Sequence, residues 1–179
     1  MEDDRRLWDM VQRFCQEKRV TLPPPCTQGA FERFAARTSV AVPPPLQSWL
    51  RKVNGATIGV GYTYGIECNP NREIEFVYSL RPEWAEKAWL PISNDGCGNH
   101  YLVPTKHEYG PGYPVFFVDT SVAPNEPDYL CASSINLFFL LLLEWVLDDT
   151  DWPFDKEFTL RRDPEFLKFT GIRYPWDLD

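Results

Sequence analysis

The sequence predicts one α+β domain spanning residues 1–179, with an antiparallel sheet of about five to six strands packed with N-terminal helices and a buried C-terminal helix. The first 55 residues carry apolar residues at helical spacing, and residues 57–133 hold short β-branched and aromatic runs between turn residues. An almost wholly apolar run of 13 residues, INLFFLLLLEWVL, follows. With 179 residues, 44% of them hydrophobic, the chain can bury one substantial core.

The N-terminal segment predicts two helices. The first covers residues 4–18, and Pro23-Pro24-Pro25 then ends regular structure. Thr27 is the predicted N-cap of a second helix that contains Phe31 and Phe34. The apolar face of the first helix consists of Leu7, Trp8, Val11, Phe14 and Cys15.

A third short helix is predicted within VPPPLQSWLRKVNGA. Pro45 suits a first helical turn, and Leu46, Trp49 and Leu50 share one face. Asn54-Gly55 is expected to end the helix, because both residues tolerate the left-handed conformation found at helix C-termini.

The middle of the chain reads as a meander of antiparallel strands. Residues 94–99 (NDGCGN) form the clearest turn, and residues 81–88 a short helix begun by Pro82. The predicted strands are TIGVGYTYGI, EIEFVYSL, WLPIS, HYLVP, YPVFFVD and YLCASS.

Ser134 is the predicted N-cap of the apolar helix, Ile135–Leu147. The run is shorter than the ~20 residues that span a bilayer, so we expect a helix buried on every side and no membrane partner. In the tail, Asp163-Pro164-Glu165 predicts another helix start, and Gly171 its end. The tail aromatics predict a strap over the outer side of the buried helix: Trp152, Phe154, Phe158, Tyr174 and Trp176.

The formal net charge of −8 argues against nucleic-acid binding. Lys and Arg number 18 and Asp and Glu 26, whereas phosphate recognition needs clustered cations. The same charge attracts basic proteins and accelerates their encounter. Five cysteines with no CxxC spacing, and an opening stretch without a signal-peptide core, predict reduced thiols in a cytoplasmic protein.

Catalytic and metal-binding patterns are weak. Cys97 and His100 have a CxxH spacing without a second ligand pair, and the spacing of Asp148, Asp149 and Asp151 differs from a calcium loop. A thiol hydrolase using Cys97, or alternatively Cys131, fits poorly, because such nucleophiles usually start a helix. No catalytic residue, cofactor or metal is therefore predicted.

The order of several motifs resembles the SUKH superfamily, also called the SMI/KNR type. The first is VPPPLQSWLRKVNGA; WLPISNDGCGNHYLV, YPVFFVD and the serine-initiated apolar helix follow, together covering roughly residues 31–147. The helix at 4–18 and the aromatic extension at 148–179 depart from the family pattern. The matching positions are Trp49, Asn54, Gly55, Trp89, Leu90, Pro91, Asp95, Gly96, Gly98, Asn99, Tyr101 and Asp119.

The resemblance implies a non-enzymatic domain that binds another protein. Many members are immunity proteins that neutralise a bacterial nuclease or deaminase toxin, so the expected partner is a basic toxin domain. The alternative is an intracellular regulator or scaffold of the same fold. Glu73 and Glu75 are predicted to share the exposed face of a strand, and outward-facing aromatics would form binding hot spots. The candidate protein-binding residues are Tyr62, Tyr64, Glu73, Glu75, Tyr78, Asp95, Asn99, Tyr101, Asp148, Asp149 and Asp151.

Overall fold

Three helices form the N-terminal part of the computed structural model, which describes residues 2–177. They are α1 (Glu2–Lys18), α2 (Gln28–Thr38) and α3 (Pro44–Leu50). The Thr27 hydroxyl accepts a hydrogen bond from the Ala30 amide, which confirms the predicted N-cap. The first helix begins two residues before its predicted start.

Helix α3 ends at Leu50, before the predicted Asn54-Gly55 stop. Asn54 is buried, and its side chain bonds both backbone groups of Ile66: Oδ1 accepts from the amide at 2.9 Å and Nδ2 donates to the carbonyl at 3.0 Å. The prediction that Asn54 ends the helix is wrong, because its side-chain amide instead links the segment after α3 to the segment around Ile66. Gly55 does adopt a positive φ of 83°.

The α+β class is confirmed, and the described residues form six strands divided between two sheets. The main sheet has four antiparallel strands in the order β3-β4-β5-β6, and β1 and β2 form a separate hairpin. The predicted single sheet of five to six strands was therefore too large. The strands are β1 (Thr57–Ile58), β2 (Gly61–Tyr62), β3 (Trp89–Asn94), β4 (His100–Pro104), β5 (Val115–Val118) and β6 (Tyr129–Ala132).

The segment EIEFVYSL is helical, which corrects the predicted strand. It forms α4 (Ile74–Leu80), and the predicted short helix follows as α5 (Pro82–Lys87). Ile74, Val77 and Tyr78 are its buried residues. Their spacing of three and four places them on one helical face, so helical period prevails over β propensity here.

Helix α6 (Ile135–Asp148) occupies the centre of the fold. Ser134 accepts from the Leu137 amide, as predicted, and the helix packs against α1, α3 and β6. The Trp49 ring lies between Trp8 and Phe139, at centroid distances of 5.9 and 3.8 Å. Within the described residues, every helix is too short or too polar to cross a membrane.

Glu144 is the one charged residue buried on α6. Its carboxylate forms ion pairs with Arg6 of α1, at 3.0 Å, and with Arg162. A buried carboxylate is tolerated when cations and hydrogen bonds compensate its lost hydration. The pair of arginines therefore joins the first helix and the tail to the central helix.

The tail packs mainly on the far face of the sheet. It contains α7 (Lys156–Arg162), which the sequence did not predict, and 3-10 turns at Phe166–Lys168 and Pro175–Asp177. Asp163 does not begin the predicted helix but ends α7; its buried carboxylate accepts hydrogen bonds from the amide (2.7 Å) and hydroxyl (2.6 Å) of Ser133.

The predicted aromatic strap is correct for one residue and displaced for others. Trp152 packs against Phe138 of α6. Phe158 packs against the main core, and Phe154 is exposed. Tyr174 and Trp176 instead help to cover Phe116 and Leu130 on the other face of the sheet. These residues form a second, smaller apolar cluster: Phe116, Leu130, Phe166 and Phe169, flanked by Tyr109, Leu160, Ile172, Tyr174 and Trp176.

Candidate functional site

The turn between β3 and β4 separates two concave surfaces. Asp95 Oδ1 accepts from the amides of Cys97 (2.7 Å) and Asn99 (3.1 Å), and Asn99 Nδ2 donates to Asp95 Oδ2 (2.9 Å). Gly96 and Gly98 have φ angles of 79° and 102°, which few other residues would adopt without strain. The motif residues of this turn therefore hold its shape, with Asp95 facing one cleft and both glycines facing the other.

The first surface, the acidic cleft, is formed where the sheet meets the segment after α6. It has a volume of about 610 Å³, within the range usual for ligand sites. The Trp152–Pro153 peptide bond, which is cis, lies in its wall. The lining residues are Asp95, Tyr101, Phe117, Tyr129, Trp145, Asp149, Thr150, Asp151, Trp152, Pro153, Phe154 and Asp155.

One wall of the acidic cleft is a row of aromatic rings from three strands. The strand register pairs Tyr101 with Phe117, and Phe117 with Tyr129. The centroids of these ring pairs are 5.4 and 4.9 Å apart, and the Phe154 ring lies 5.7 Å from Tyr129. Trp145 and Phe154 are 36% and 53% exposed and stand at the solvent side of the cleft.

The charge of the acidic cleft is uniformly negative. Asp95 and Asp155 have structural roles, since Asp155 caps α7 by accepting from the Phe158 amide at 2.9 Å. Asp149 ends α6 in the left-handed conformation, and neither its carboxylate nor that of Asp151 accepts a hydrogen bond from another described residue. The cleft lining contains no Lys, Arg or His, so these two carboxylates face it uncompensated.

Two tyrosine hydroxyls also remain free in the acidic cleft. Tyr101 and Tyr129 are only 9% and 6% exposed, yet no described residue forms a hydrogen bond with either hydroxyl. Burial raises the pKa of both phenols, with the neighbouring Cys131 thiol and Asp95 adding to the rise, so both stay neutral. The Thr150 hydroxyl, shielded from solvent in the same wall, likewise has no partner within the described chain.

The second surface, the apolar groove, lies on the other side of the turn. Its volume is about 630 Å³, and Phe76 and Leu80 of α4 are exposed along it. Arg81 is its only lining residue with a formal charge when histidine is neutral. The lining residues are Tyr62, Tyr64, Phe76, Val77, Leu80, Arg81, Asn94, Gly96, Gly98 and His100.

The uncharged polar side chains of the apolar groove are joined to one another. Asn94 Nδ2 donates to the Tyr64 hydroxyl at 3.2 Å, and that hydroxyl is hydrogen-bonded to His100 Nδ1 at 2.8 Å. Asn94 Oδ1 accepts from the Gly96 amide at 3.0 Å. Burial lowers the pKa of His100 to about 4, so the imidazole is neutral at pH 7.

The predicted aromatic binding residues divide between the two surfaces. Tyr101 lies in the acidic cleft, whereas Tyr62 and Tyr64 line the apolar groove. Tyr64 and Tyr78 do not face outward: both are buried, and Tyr78 donates to the Trp89 carbonyl at 3.1 Å. Asn99 serves the turn, and its Oδ1 also accepts from the Thr120 amide at 3.2 Å.

The predicted acidic residues separate in the same way. Asp95, Asp149 and Asp151 meet in the acidic cleft, although they are far apart in sequence. Asp148 points elsewhere and pairs with Arg13 at 2.7 Å, which keeps the pKa of Asp148 below its usual value.

Glu73 and Glu75 do not share an exposed strand face, because they begin helix α4. Glu73 accepts from the Cys68 amide at 3.0 Å, and Glu75 pairs with Arg37 at 2.7 Å. Both carboxylates therefore have local partners.

The thiols show no arrangement suited to hydrolysis. Cys131 is fully buried on β6, and burial raises its pKa well above the usual value. Cys97 is exposed in the turn, while the nearby His100 is held by Tyr64. Across residues 2–177, no group of three or more His, Cys, Asp or Glu side chains is placed to hold a metal ion.

Sequence reasoning missed eight of the twelve residues that line the acidic cleft. Phe117 pairs with Tyr101 on one neighbouring strand and with Tyr129 on the other, and the sequence of a single strand does not determine this register. The exposed aromatics and the N-cap of α7 come from segments predicted to be buried or to form the strap. The missed residues are Phe117, Tyr129, Trp145, Thr150, Trp152, Pro153, Phe154 and Asp155.

Comparison with known families gives one result. The profile described as the SMI1 / KNR4 family (SUKH-1) matches residues 25–140, more than half of the chain. The match includes α2 to β6 and the start of α6; α1 and the tail lie outside it. No curated protein matches the chain.

Proposed function

The chain belongs to the SMI1 / KNR4 family (SUKH-1), and from this we propose that it is a non-enzymatic protein-binding domain of the immunity type. Its partner would be a basic toxin domain of the nuclease or deaminase kind, which it binds and neutralises. The observation that carries the proposal is the acidic cleft, in which unpaired carboxylates and exposed aromatic rings face solvent together.

The composition of the acidic cleft matches what a basic protein surface requires. Aromatic residues supply most hot-spot energy in protein interfaces, and Trp145 and Phe154 are exposed here. Asp149 and Asp151 provide charge complementarity, which accelerates association and selects against acidic partners. We propose that Asp95, Tyr101, Asp149 and Asp151 contact the partner.

Three of the other candidate residues, Tyr64, Tyr78 and Asn99, would act indirectly. Tyr64 and Asn99 hold the strands and turn between the two surfaces, and Tyr78 anchors α4 to β3. Changing them would disturb the shape of the acidic cleft without removing a contact.

We further propose that residues 1–179 act as one domain in the cytoplasm. Helix α1 packs on α6, and Glu144 pairs with residues of both α1 and α7, which supports a single unit. All five cysteines are free, including the exposed Cys97, which suits a reducing compartment.

Affinity capture with matched charge variants tests the proposal. The tagged chain, its Asp149→Asn/Asp151→Asn variant and a Glu86→Gln/Glu126→Gln control are each incubated with lysate of the source cells. The control also removes two negative charges, but from exposed positions outside the acidic cleft. We expect a stoichiometric partner with a toxin domain, retained by the control and reduced at least about tenfold by the cleft variant.

Neutralisation of the captured protein completes the test. Cells that express the toxin domain should survive with the wild-type chain or the control and die with the cleft variant. Capture of only sub-stoichiometric housekeeping proteins would favour a regulator of the same fold. Turnover of a substrate lost in Cys97→Ala would favour a thiol hydrolase.

A further inference from the structure

We infer that the acidic cleft receives the guanidinium group of an arginine side chain on the partner protein. This inference rests on the proposed protein-binding function and names the chemical group that the cleft recognises. Three features of the cleft support it: unpaired carboxylates, hydroxyls without a partner among the described residues, and an aromatic wall.

The carboxylates define the charge of the occupant. Asp149 and Asp151 meet no donor among the described residues, and the lining holds no cationic side chain. Several carboxylates elsewhere, Glu67, Glu75 and Asp148 among them, are instead paired with arginines of the same chain. A cation that pairs with Asp149 or Asp151 would therefore come from outside the lining of the acidic cleft.

The hydroxyls define the need for several hydrogen-bond donors. Tyr129 and Tyr101 are more than nine-tenths buried and line the cleft, and their hydroxyls lack partners among the described residues. The Thr150 hydroxyl in the same wall is shielded from solvent and has no partner within the described chain, so a ligand donor there would supply a missing hydrogen bond. A guanidinium carries five N–H donors, enough to serve carboxylates and hydroxyls at the same time.

The aromatic wall favours arginine over lysine. Guanidinium is planar, weakly hydrated and stacks on ring faces, whereas ammonium is compact and strongly hydrated. Among the described residues, none of the six cation–ring contacts involves Tyr101, Phe117, Tyr129, Trp145 or Phe154, so these faces are unoccupied by the chain's own cations.

The test is an NMR titration of the full-length chain with three blocked amino acids. Nα-acetyl-arginine amide is the probe, the lysine analogue tests cation type, and the citrulline analogue keeps the shape without the charge. We expect saturable amide shifts confined to residues 95, 101 and 149–155. Citrulline should bind at least about tenfold more weakly than arginine, and lysine about threefold or more.

Three variants locate the binding group. Tyr129→Phe removes only a hydroxyl and should weaken arginine binding about three- to tenfold, and Asp151→Asn about tenfold. Glu86→Gln should leave it unchanged, and Asp149→Asn replaces Asp151→Asn if that variant does not fold. Equal binding of citrulline, shifts centred on the apolar groove, or no saturable shift would each overturn the inference.

Failure of this inference can be told apart from failure of the proposed function. If a toxin is captured through Asp149 and Asp151 but arginine is not preferred, protein binding stands and the guanidinium assignment falls. If arginine binds selectively but no captured protein depends on these aspartates, the toxin-binding proposal falls, and the cleft recognises guanidinium from a small molecule.

Discussion

The acidic cleft and the apolar groove flank the same turn and have nearly equal volumes, about 610 and 630 Å³. They differ in how their polar groups are used. In the groove, Tyr64, Asn94 and His100 bond one another, whereas in the cleft Tyr129, Asp149 and Asp151 have no partner within the described chain. The two surfaces therefore differ in how far their polar groups are hydrogen-bonded within the chain, and not in volume.

Acid should destabilise the protein through the groove, by about 3 kcal/mol. The pKa of His100 is about 4 in the fold and 6.5 ordinarily, because burial opposes its charge. The unfolded chain thus takes up the proton first, and the stability that neutral His100 contributes is lost as pH falls from 6.5 to 4. Asp95 opposes the pKa depression and Arg81 adds to it.

Urea denaturation at several pH values measures this effect. The difference in unfolding free energy between wild type and His100→Gln should narrow across pH 6.5 to 4, since only the wild type carries the His100 imidazole. His107→Gln, changed at an exposed histidine, should keep the wild-type profile. A constant difference across that range would show that His100 does not carry the acid sensitivity.

Gly61→Ala should cost about 2–3 kcal/mol, because the strand beside the groove has no room for a methyl group. An added Cβ would overlap the Asn94 carbonyl oxygen, which is backbone and cannot rotate away. Thermal unfolding checks this, with Gly29→Ala as the control. At Gly29 the new Cβ meets only the flexible end of Arg33, 3.1 Å away, and alanine in helix α2 should stabilise slightly.

The same Tyr→Phe change should have different effects on the two surfaces. Tyr64→Phe removes two hydrogen bonds and leaves the buried Asn94 amide without an acceptor, at a cost of about 1–2 kcal/mol. Tyr129→Phe should change stability by less than about 0.5 kcal/mol, since its hydroxyl has no partner to lose. Equal losses in chemical denaturation would contradict the distinction between the surfaces.

Removing cleft charge should have the smallest effect on stability, and a favourable one. Asp149→Asn and Asp151→Asn relieve repulsion between neighbouring carboxylates, by about 0.5 kcal/mol or less at low salt. Asn also tolerates the left-handed conformation at position 149, where φ is 51°. The gain should disappear in 1 M salt, where charges are screened; a loss of stability would mean that these aspartates have a structural role.

Local patterns predicted most of the fold. The Thr27 and Ser134 hydroxyls each accept a hydrogen bond from the amide three residues ahead, so both N-cap predictions are confirmed. The turn NDGCGN has glycines at positions with positive φ, which confirms the third prediction. The helical period of Ile74, Val77 and Tyr78 was also present, but β-branched and aromatic composition favoured a strand.

Only four of the twelve residues that line the acidic cleft were predicted from the sequence. Asp95, Tyr101, Asp149 and Asp151 were candidates from residue type alone, yet their meeting depends on how the segment after α6 returns to the sheet. That path is fixed by long-range contacts, such as Trp152 donating to the Cys131 carbonyl at 3.2 Å. No local spacing encodes a contact of this kind.

The two arginine partners of Glu144 have a consequence for how this chain could be shortened. Arg6, Arg162 and Glu144 all lie outside residues 25–140, which match the family profile, and Glu144 is buried on the central helix. Removing either end of the chain would remove one of the two arginines that pair with the Glu144 carboxylate. Helix α1 and the tail, which both lie outside the profile match, therefore depend on each other through Glu144. A shortened chain should lack both segments and carry leucine at position 144.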